Sequence, residues 1–236
     1  VHWIARPEPM VRAEDVRDGE IGRIYDPRLT MIGDELFICF AVDTRHGIRG
    51  GIGRIKGDFE GIEFISLSTP DNRNMVLFPE KIRFDIWISR SPDLEFWGRS
   101  ELLLGVENVP FANDKIGPAA PPIRTKDGWL TLFHSVDRDD SRGKNGWESS
   151  WKKRYCSGIM LLDLEDPSKV IGMSKEPLIA PETAYEADEG FRQNVIFPGG
   201  MIAEPDGSVK IYYGAADTVE CLAVSTIDEL VALCVN

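Results

Sequence analysis

A strand-turn-strand unit recurs along this chain and limits what it can fold into. Pro27-Arg28-Leu29-Thr30-Met31-Ile32 runs into a Gly33-Asp34 turn, then Leu36-Phe37-Ile38-Cys39-Phe40-Ala41, with Asp43 close behind. Pro122-Ile123-Arg124-Thr125 leads through Asp127-Gly128 to Trp129-Leu130-Thr131-Leu132-Phe133-His134 and Asp137. Pro198-Gly199-Gly200-Met201-Ile202 leads through Asp206-Gly207 to Val209-Lys210-Ile211-Tyr212-Tyr213 and Asp217. Each copy is a proline-led strand, a tight Asp/Gly turn and an apolar or aromatic strand that ends near an acid, the composition of an antiparallel hairpin. A second half-unit follows each one. Trp87 to Trp97 is its clearest form, and Gly51 to Phe64, Gly158 to Ile171 and Cys221 to Leu230 overlay it loosely as strand, turn and strand. The copies led by Pro27, Pro79, Pro122 and Pro198 fall about 50 residues apart, and the last interval is lengthened by a polar insertion from Arg138 to Arg154. Four short strands per period of about 50 residues make a propeller blade. The expected fold is all-β, a propeller in a single domain over residues 1–236.

Two copies are incomplete. After Pro79-Glu80-Lys81-Ile82 a turn and a second strand are due, but the chain passes directly into Arg83-Phe84-Asp85-Ile86-Trp87. Before Asp26 no full blade precedes the first recognisable one, so residues 1–24 are expected to be an N-terminal arm or the remnant of a first blade. Parts of the first blade and one later hairpin are thus absent from the sequence.

Charge narrows the partners. Lys and Arg number 27 against 39 Asp and Glu, a formal net charge of −12, with no long basic run. That argues against nucleic acid or an anionic membrane surface as the main partner. An anionic ligand would need a local cluster of cations. Cys39, Cys156, Cys221 and Cys234 are scattered without CxxC spacing, so reduced, buried thiols are expected rather than a disulfide framework or a zinc site. No stretch approaches the roughly 18 apolar residues of a membrane span, and Val1-His2-Trp3 opens no signal peptide. A cytoplasmic protein is expected.

Acids at strand ends converge on the rim of a propeller channel, where such folds place ligands. Asp26, Asp43, Asp137 and Asp217 occupy such positions, and for any one of them a turn-capping role is the ordinary one. Three cations at the same phase of three copies are more informative. Arg73 precedes an apolar strand, Lys115 sits beside the Gly/Pro-rigid segment Ile116 to Pro122, and His134 lies inside an aromatic strand. Taken singly they are a surface ion pair, a solvated loop charge and a packed imidazole. Converging on one channel, they form an anion site suited to phosphate.

The chain resembles glycoside hydrolase family 130, the five-bladed propeller β-mannoside phosphorylases and their hydrolytic relatives. The resemblance rests on Tyr25-Asp26-Pro27-Arg28, Asn72-Arg73-Asn74 through Leu77-Phe78-Pro79, Ser89 through Trp97, Lys115-Ile116-Gly117, and Gly128-Trp129-Leu130 with His134. Leu161-Leu162-Asp163-Leu164, Asn194 through Pro198, and Tyr212 through Asp217 continue it in order to the C-terminal part. It implies an inverting phosphorylase that cleaves a β-1,4- or β-1,2-mannobiose, a manno-oligosaccharide or a mannosyl-glucose with inorganic phosphate to give α-mannose 1-phosphate. No metal and no cofactor are implied; phosphate is the co-substrate. Asp26 falls on the general acid, and Arg73, Lys115 and His134 on phosphate ligands. Asn74 and Asp217 fall on contacts to the mannose, while Tyr25 and Arg28 flank the acid. A second phosphate-binding arginine and two residues of the first blade belong to the segments this sequence lacks.

An ordinary inverting glycosidase needs two carboxylates about 6.5–9.5 Å apart. Phosphorolysis brings its own anionic nucleophile, so one protonated acid and a cation cluster suffice. A β-mannoside hydrolase of the same fold and a non-catalytic carbohydrate-binding propeller are the alternatives. Trp147 and Trp151 of the insertion could stack on a sugar or pack against a neighbouring subunit, which leaves a homo-oligomer open.

Overall fold

The structure is a computed structural model and describes residues 8–16, 21–57, 59–70, 75–79, 91, 93–94, 101–142 and 152–235. Arg73, Asn74, the shortened copy around Ile82, the Trp87 to Trp97 half-unit (apart from Ser91, Asp93 and Leu94) and the tryptophans of the insertion lie outside them.

The described chain is mostly β and forms three separate antiparallel sheets. The first is a meander of β1 (Ile21–Ile32), β2 (Glu35–Thr44), β3 (Gly47–Lys56) and β4 (Gly61–Leu67), in that spatial order. The second contains β5 (Lys115–Pro118), β6 (Ile123–Arg124), β7 (Trp129–Arg138), β8 (Lys153–Leu162) and β9 (Val170–Met173). Its order is β5-β7-β8-β9, with β6 also pairing β7. The third is β10 (Ile196–Ala203), β11 (Ser208–Ala215) and β12 (Val219–Thr226), again in order. Each expected hairpin is present: β1–β2, β6–β7 and β10–β11 turn where Gly33-Asp34, Asp127-Gly128 and Asp206-Gly207 stand. Gly33 and Gly207 take φ of 63° and 85°, a conformation that glycine adopts without strain.

Central strands read as continuous apolar runs because they are covered on both faces. Every residue from Phe37 to Val42, from Trp129 to Val136 and from Tyr155 to Leu162 is buried. Strand β11 instead alternates, with Val209, Ile211, Tyr213 and Ala215 buried. The largest core cluster joins the second and third sheets. Leu130, Leu132, Ile159 and Leu161 pack with Met201, Val209 and Ile211, and with Leu230, Val231 and Cys234 of a C-terminal helix.

That helix, α2 (Ile227–Val235), departs from the expected pattern, in which Cys221 to Leu230 forms strand, turn and strand. The cause is local. Thr226 and Glu229 form a capping box: the Glu229 carboxylate accepts from the Thr226 amide at 3.1 Å, and the Glu229 amide donates to the Thr226 hydroxyl at 3.3 Å. The apolar face that follows then docks on β8 and β9. The N-terminal boundary also shifts, because β1 begins at Ile21 and so takes the last residues of the expected 1–24 arm. Met10, Val11 and Val16 pack under the first sheet beside Ile38, Phe40 and Ile62.

All four cysteines are free, three of them buried. Burial pushes the thiols of Cys39 and Cys234 up to about 12 and that of Cys156 to about 11, with the Arg28 guanidinium opposing part of the shift at Cys39. Such thiols are inert packing groups at neutral pH. Among the described residues no helix is long and apolar enough to cross a membrane.

Candidate active site

The candidate acid sits in a β-bulge. Tyr25 pairs with Ala41 and Arg28 with Cys39, so Asp26 and Pro27 together oppose Phe40 alone. The extra residue turns the strand and re-aims its side chains, a device found beside ligand sites. Asp26 adopts φ 54°, a left-handed conformation that Asp and Asn tolerate better than most residues. Its backbone is tied by Arg28, whose Nη1 donates to the Asp26 carbonyl at 3.0 Å while Nε donates to the Ala119 carbonyl at 2.7 Å. The Arg28 side chain is buried, so both bonds are made in a region where an unmet acceptor is costly.

The structure separates the four strand-end acids. The Tyr25 hydroxyl donates to Asp43 Oδ1 at 2.8 Å and Arg23 Nε pairs with Asp43 Oδ2 at 3.0 Å, a half-buried structural anchor. Asp137 is held by Arg142 at 2.6 Å and more loosely by Arg154 at 3.7 Å. Asp217 stands in the β11–β12 turn with φ 51°, facing Arg192 at 3.5 Å. Asp26 lies in a strand bulge that also lines a cleft. That cleft measures about 630 Å³ and includes Asp26, Arg28, Phe197, Gly200, Tyr212 and Glu220 in its walls. Desolvation pushes the Glu220 carboxyl above its ordinary value.

Three basic side chains are strung along a pair of aromatic rings. The Arg28 guanidinium lies 5.9 Å from the Phe197 ring centre, and the Phe197 ring is 5.0 Å from the His134 imidazole. His134 stacks in turn on Tyr155 at 6.3 Å with an interplanar angle of 20°, and the Lys115 ammonium sits 5.4 Å from the Tyr155 ring. The order is Arg28, Phe197, His134, Tyr155, Lys115. Cation-on-ring contacts of this kind stabilise by about 0.5–1 kcal/mol at exposed positions and more when dry. Lys115 is exposed and His134 is buried at 2%. Arg28, His134 and Lys115 are thus linked end to end through these rings, while Tyr25 is turned to Asp43 and Asp217 stands apart in its turn. Phe197 and Tyr155, which hold the array, carry no charge and come from strands 42 residues apart, so nothing local in the sequence singles them out.

Gly117 is what lets the imidazole sit there. It pairs with His134 across β5 and β7, and a Cβ added to it would stand 2.5 Å from His134 Cε1. Gly117→Ala is expected to push the imidazole off its stack, with the β5–β7 pairing kept. A crystal structure of the variant checks this, and an imidazole still stacked on Tyr155 would contradict it.

The loop that precedes β10 is anchored by a buried carboxylate. Glu186 lies in a short helix, α1 (Ala184–Ala187), and accepts from the Glu182 and Thr183 amides at 3.1 and 2.9 Å and from the Tyr213 hydroxyl at 3.1 Å. Burial alone would raise its pKa, but these donors outweigh that and hold it below its ordinary value. From there the chain reaches Asn194, whose carbonyl accepts from the Tyr155 amide at 2.9 Å, and then Phe197. Glu186 thus fixes the loop that leads into Phe197.

The sequence profile of glycoside hydrolase family 130, described as beta-1,4-mannooligosaccharide phosphorylase, matches residues 1–236. The chain belongs to glycoside hydrolase family 130. It is similar to a Beta-1,2-mannobiose phosphorylase of Listeria innocua serovar 6a, with 34% identity over 212 residues, 83% of this chain and 55% of the relative. It is also similar to a Beta-1,4-mannooligosaccharide phosphorylase of Ruminococcus albus, with 31% identity over 258 residues, 98% of this chain and 72% of the relative. The matched span of 258 exceeds the 236 residues of this chain, so that family member carries internal residues with no counterpart here. Among solved structures, the Listeria innocua Beta-1,2-mannobiose phosphorylase in its β-1,2-mannobiose complex superimposes with TM-score 0.76 at 30% identity, covering 89% of this chain and 60% of that one. This family 130 chain thus spans little more than half the length of the Listeria innocua relative.

Proposed function

We propose that this chain is the catalytic part of an inverting β-mannoside phosphorylase, and that its three sheets are blades of a five-bladed propeller forming one domain. What carries this reading is a run of basic side chains that begins at the bulged acid: Arg28, bonded to the Asp26 carbonyl, then His134 and Lys115 linked to it through Phe197 and Tyr155. The phosphorylase names of the relatives support it. Lys115 and His134, joined by Arg73, hold inorganic phosphate against the anomeric carbon of a mannose bound through Asn74 and Asp217. A phosphate oxygen forms the new bond to that carbon as the bond to the leaving sugar oxygen breaks on the opposite face. Asp26 starts protonated and its proton ends on the leaving oxygen, by way of a mannose hydroxyl. The products are α-mannose 1-phosphate and a shortened sugar, with no cofactor. The basic side chains bind and aim the phosphate nucleophile, so no second carboxylate is needed to generate one from water.

One observation favours the hydrolase as the second reading. Glu220 lines the same cleft as Asp26, and a carboxylate there could activate water. The reverse reaction separates the two. Incubated with mannose 1-phosphate and a panel of sugar acceptors, a phosphorylase releases inorganic phosphate and forms a β-mannoside. Absence of phosphate release with every acceptor would favour the hydrolase.

A further inference from the structure

Lys115 is presented by β5, a strand of four residues that pairs only with β7 among the described strands. A short edge strand with an exposed lysine ordinarily frays, and an ammonium on a four-carbon stem spreads over many positions. Here the two residues ahead of Lys115 are clamped. Asn113 Nδ2 donates to Asp137 Oδ1 at 3.2 Å and to the Arg138 carbonyl at 2.9 Å, and its Oδ1 accepts from the Arg138 amide at 2.7 Å. The backbone amides of Asn113 and Asp114 both donate to the Val136 carbonyl, at 3.2 and 3.1 Å. Asp114 pairs with Lys153 of β8 at 3.0 Å, and Asp137 is itself fixed by Arg142 at 2.6 Å.

We propose that Asn113 is a positioning residue for Lys115: its three side-chain bonds to the end of β7 hold the start of β5 in register, so that the ammonium stays over Tyr155 where an inorganic phosphate would meet it. This rests on the phosphorylase reading and adds a residue that touches neither sugar nor phosphate. Asn113 lies at the surface, so truncation leaves no core cavity. The carboxylates nearest to it, Asp137 and Asp114, are each held by a cation, so the clamp does not depend on their finding new partners.

The test is a calorimetric titration of inorganic phosphate into the intact chain, as wild type, Asn113→Ala, Lys115→Ala and the double variant. Asn113→Ala is expected to weaken phosphate about tenfold with the mannoside KM unchanged, and to add nothing in the Lys115→Ala background, the mark of one residue acting through another. A wild-type affinity in Asn113→Ala would overturn the proposal. So would an equal loss in both backgrounds, which is what a merely structural role produces. A wild-type protein that takes up no phosphate would overturn the phosphorylase reading and this proposal together.

Discussion

Asp26→Asn is expected to lose turnover by about 10³-fold while keeping its fold and its affinity for the mannoside. Asn matches Asp in shape and, like it, tolerates the left-handed φ of 54° that the bulge imposes, so the backbone of β1 has no reason to move. The two Arg28 bonds around it reach carbonyl oxygens rather than the Asp26 carboxylate and are kept. What the variant lacks is the proton, and a positioned general acid contributes about 10²–10⁴-fold. The loss should shrink on an aryl β-mannoside whose leaving group departs without protonation. Rates on the natural and the activated substrate give the answer directly. A loss below tenfold on both would remove Asp26 from the acid's role.

Arg28→Met should cost both stability and activity. Met keeps much of the volume and removes both donors, so the Ala119 carbonyl loses its Arg28 bond in a buried setting and the Asp26 carbonyl loses its own in a half-buried one. Each orphaned acceptor costs about 1–3 kcal/mol. With about 2–4 °C per kcal/mol for a chain of this size, the midpoint of thermal unfolding should fall by roughly 4–24 °C. Activity should fall as well, because Arg28 ties the bulge that aims Asp26 to the segment that follows Lys115. A conservative Arg28→Lys replacement recovers at most one of the two bonds and should fall between. A midpoint within about 2 °C of wild type would contradict the account.

The hairpins were readable in the sequence because a turn is a local event. Asp-Gly and Gly-Asp pairs between apolar runs require a reversal wherever they fall, and β1–β2, β6–β7 and β10–β11 follow from them. The repeat placed Lys115 and His134 at like phase in separate copies, whereas they stand on paired strands β5 and β7 of one sheet, because Lys115 to Pro118 adds to the edge of the hairpin that carries His134. The bulge at Asp26 was not readable, since Tyr25-Asp26-Pro27-Arg28 shows an acid before a proline but not which residue of β2 it will oppose. Helix α2 had a local signal, Thr226-Ile227-Asp228-Glu229, which the repeat overrode; capping chemistry decided the outcome. The aromatic pair lay beyond reach for a different reason. Phe197 meets His134 only because two sheets pack together, and Tyr155 reaches it diagonally across the β7–β8 pairing, whose register no short stretch of sequence states.

The measurement that bears most directly on the central claim is phosphate dependence. Purified protein is incubated with β-1,2- or β-1,4-mannobiose, with and without inorganic phosphate, and the products are resolved. Disaccharide should disappear only when phosphate is present, with one α-mannose 1-phosphate formed for each mannobiose lost. Free mannose released at the same rate without phosphate would contradict it.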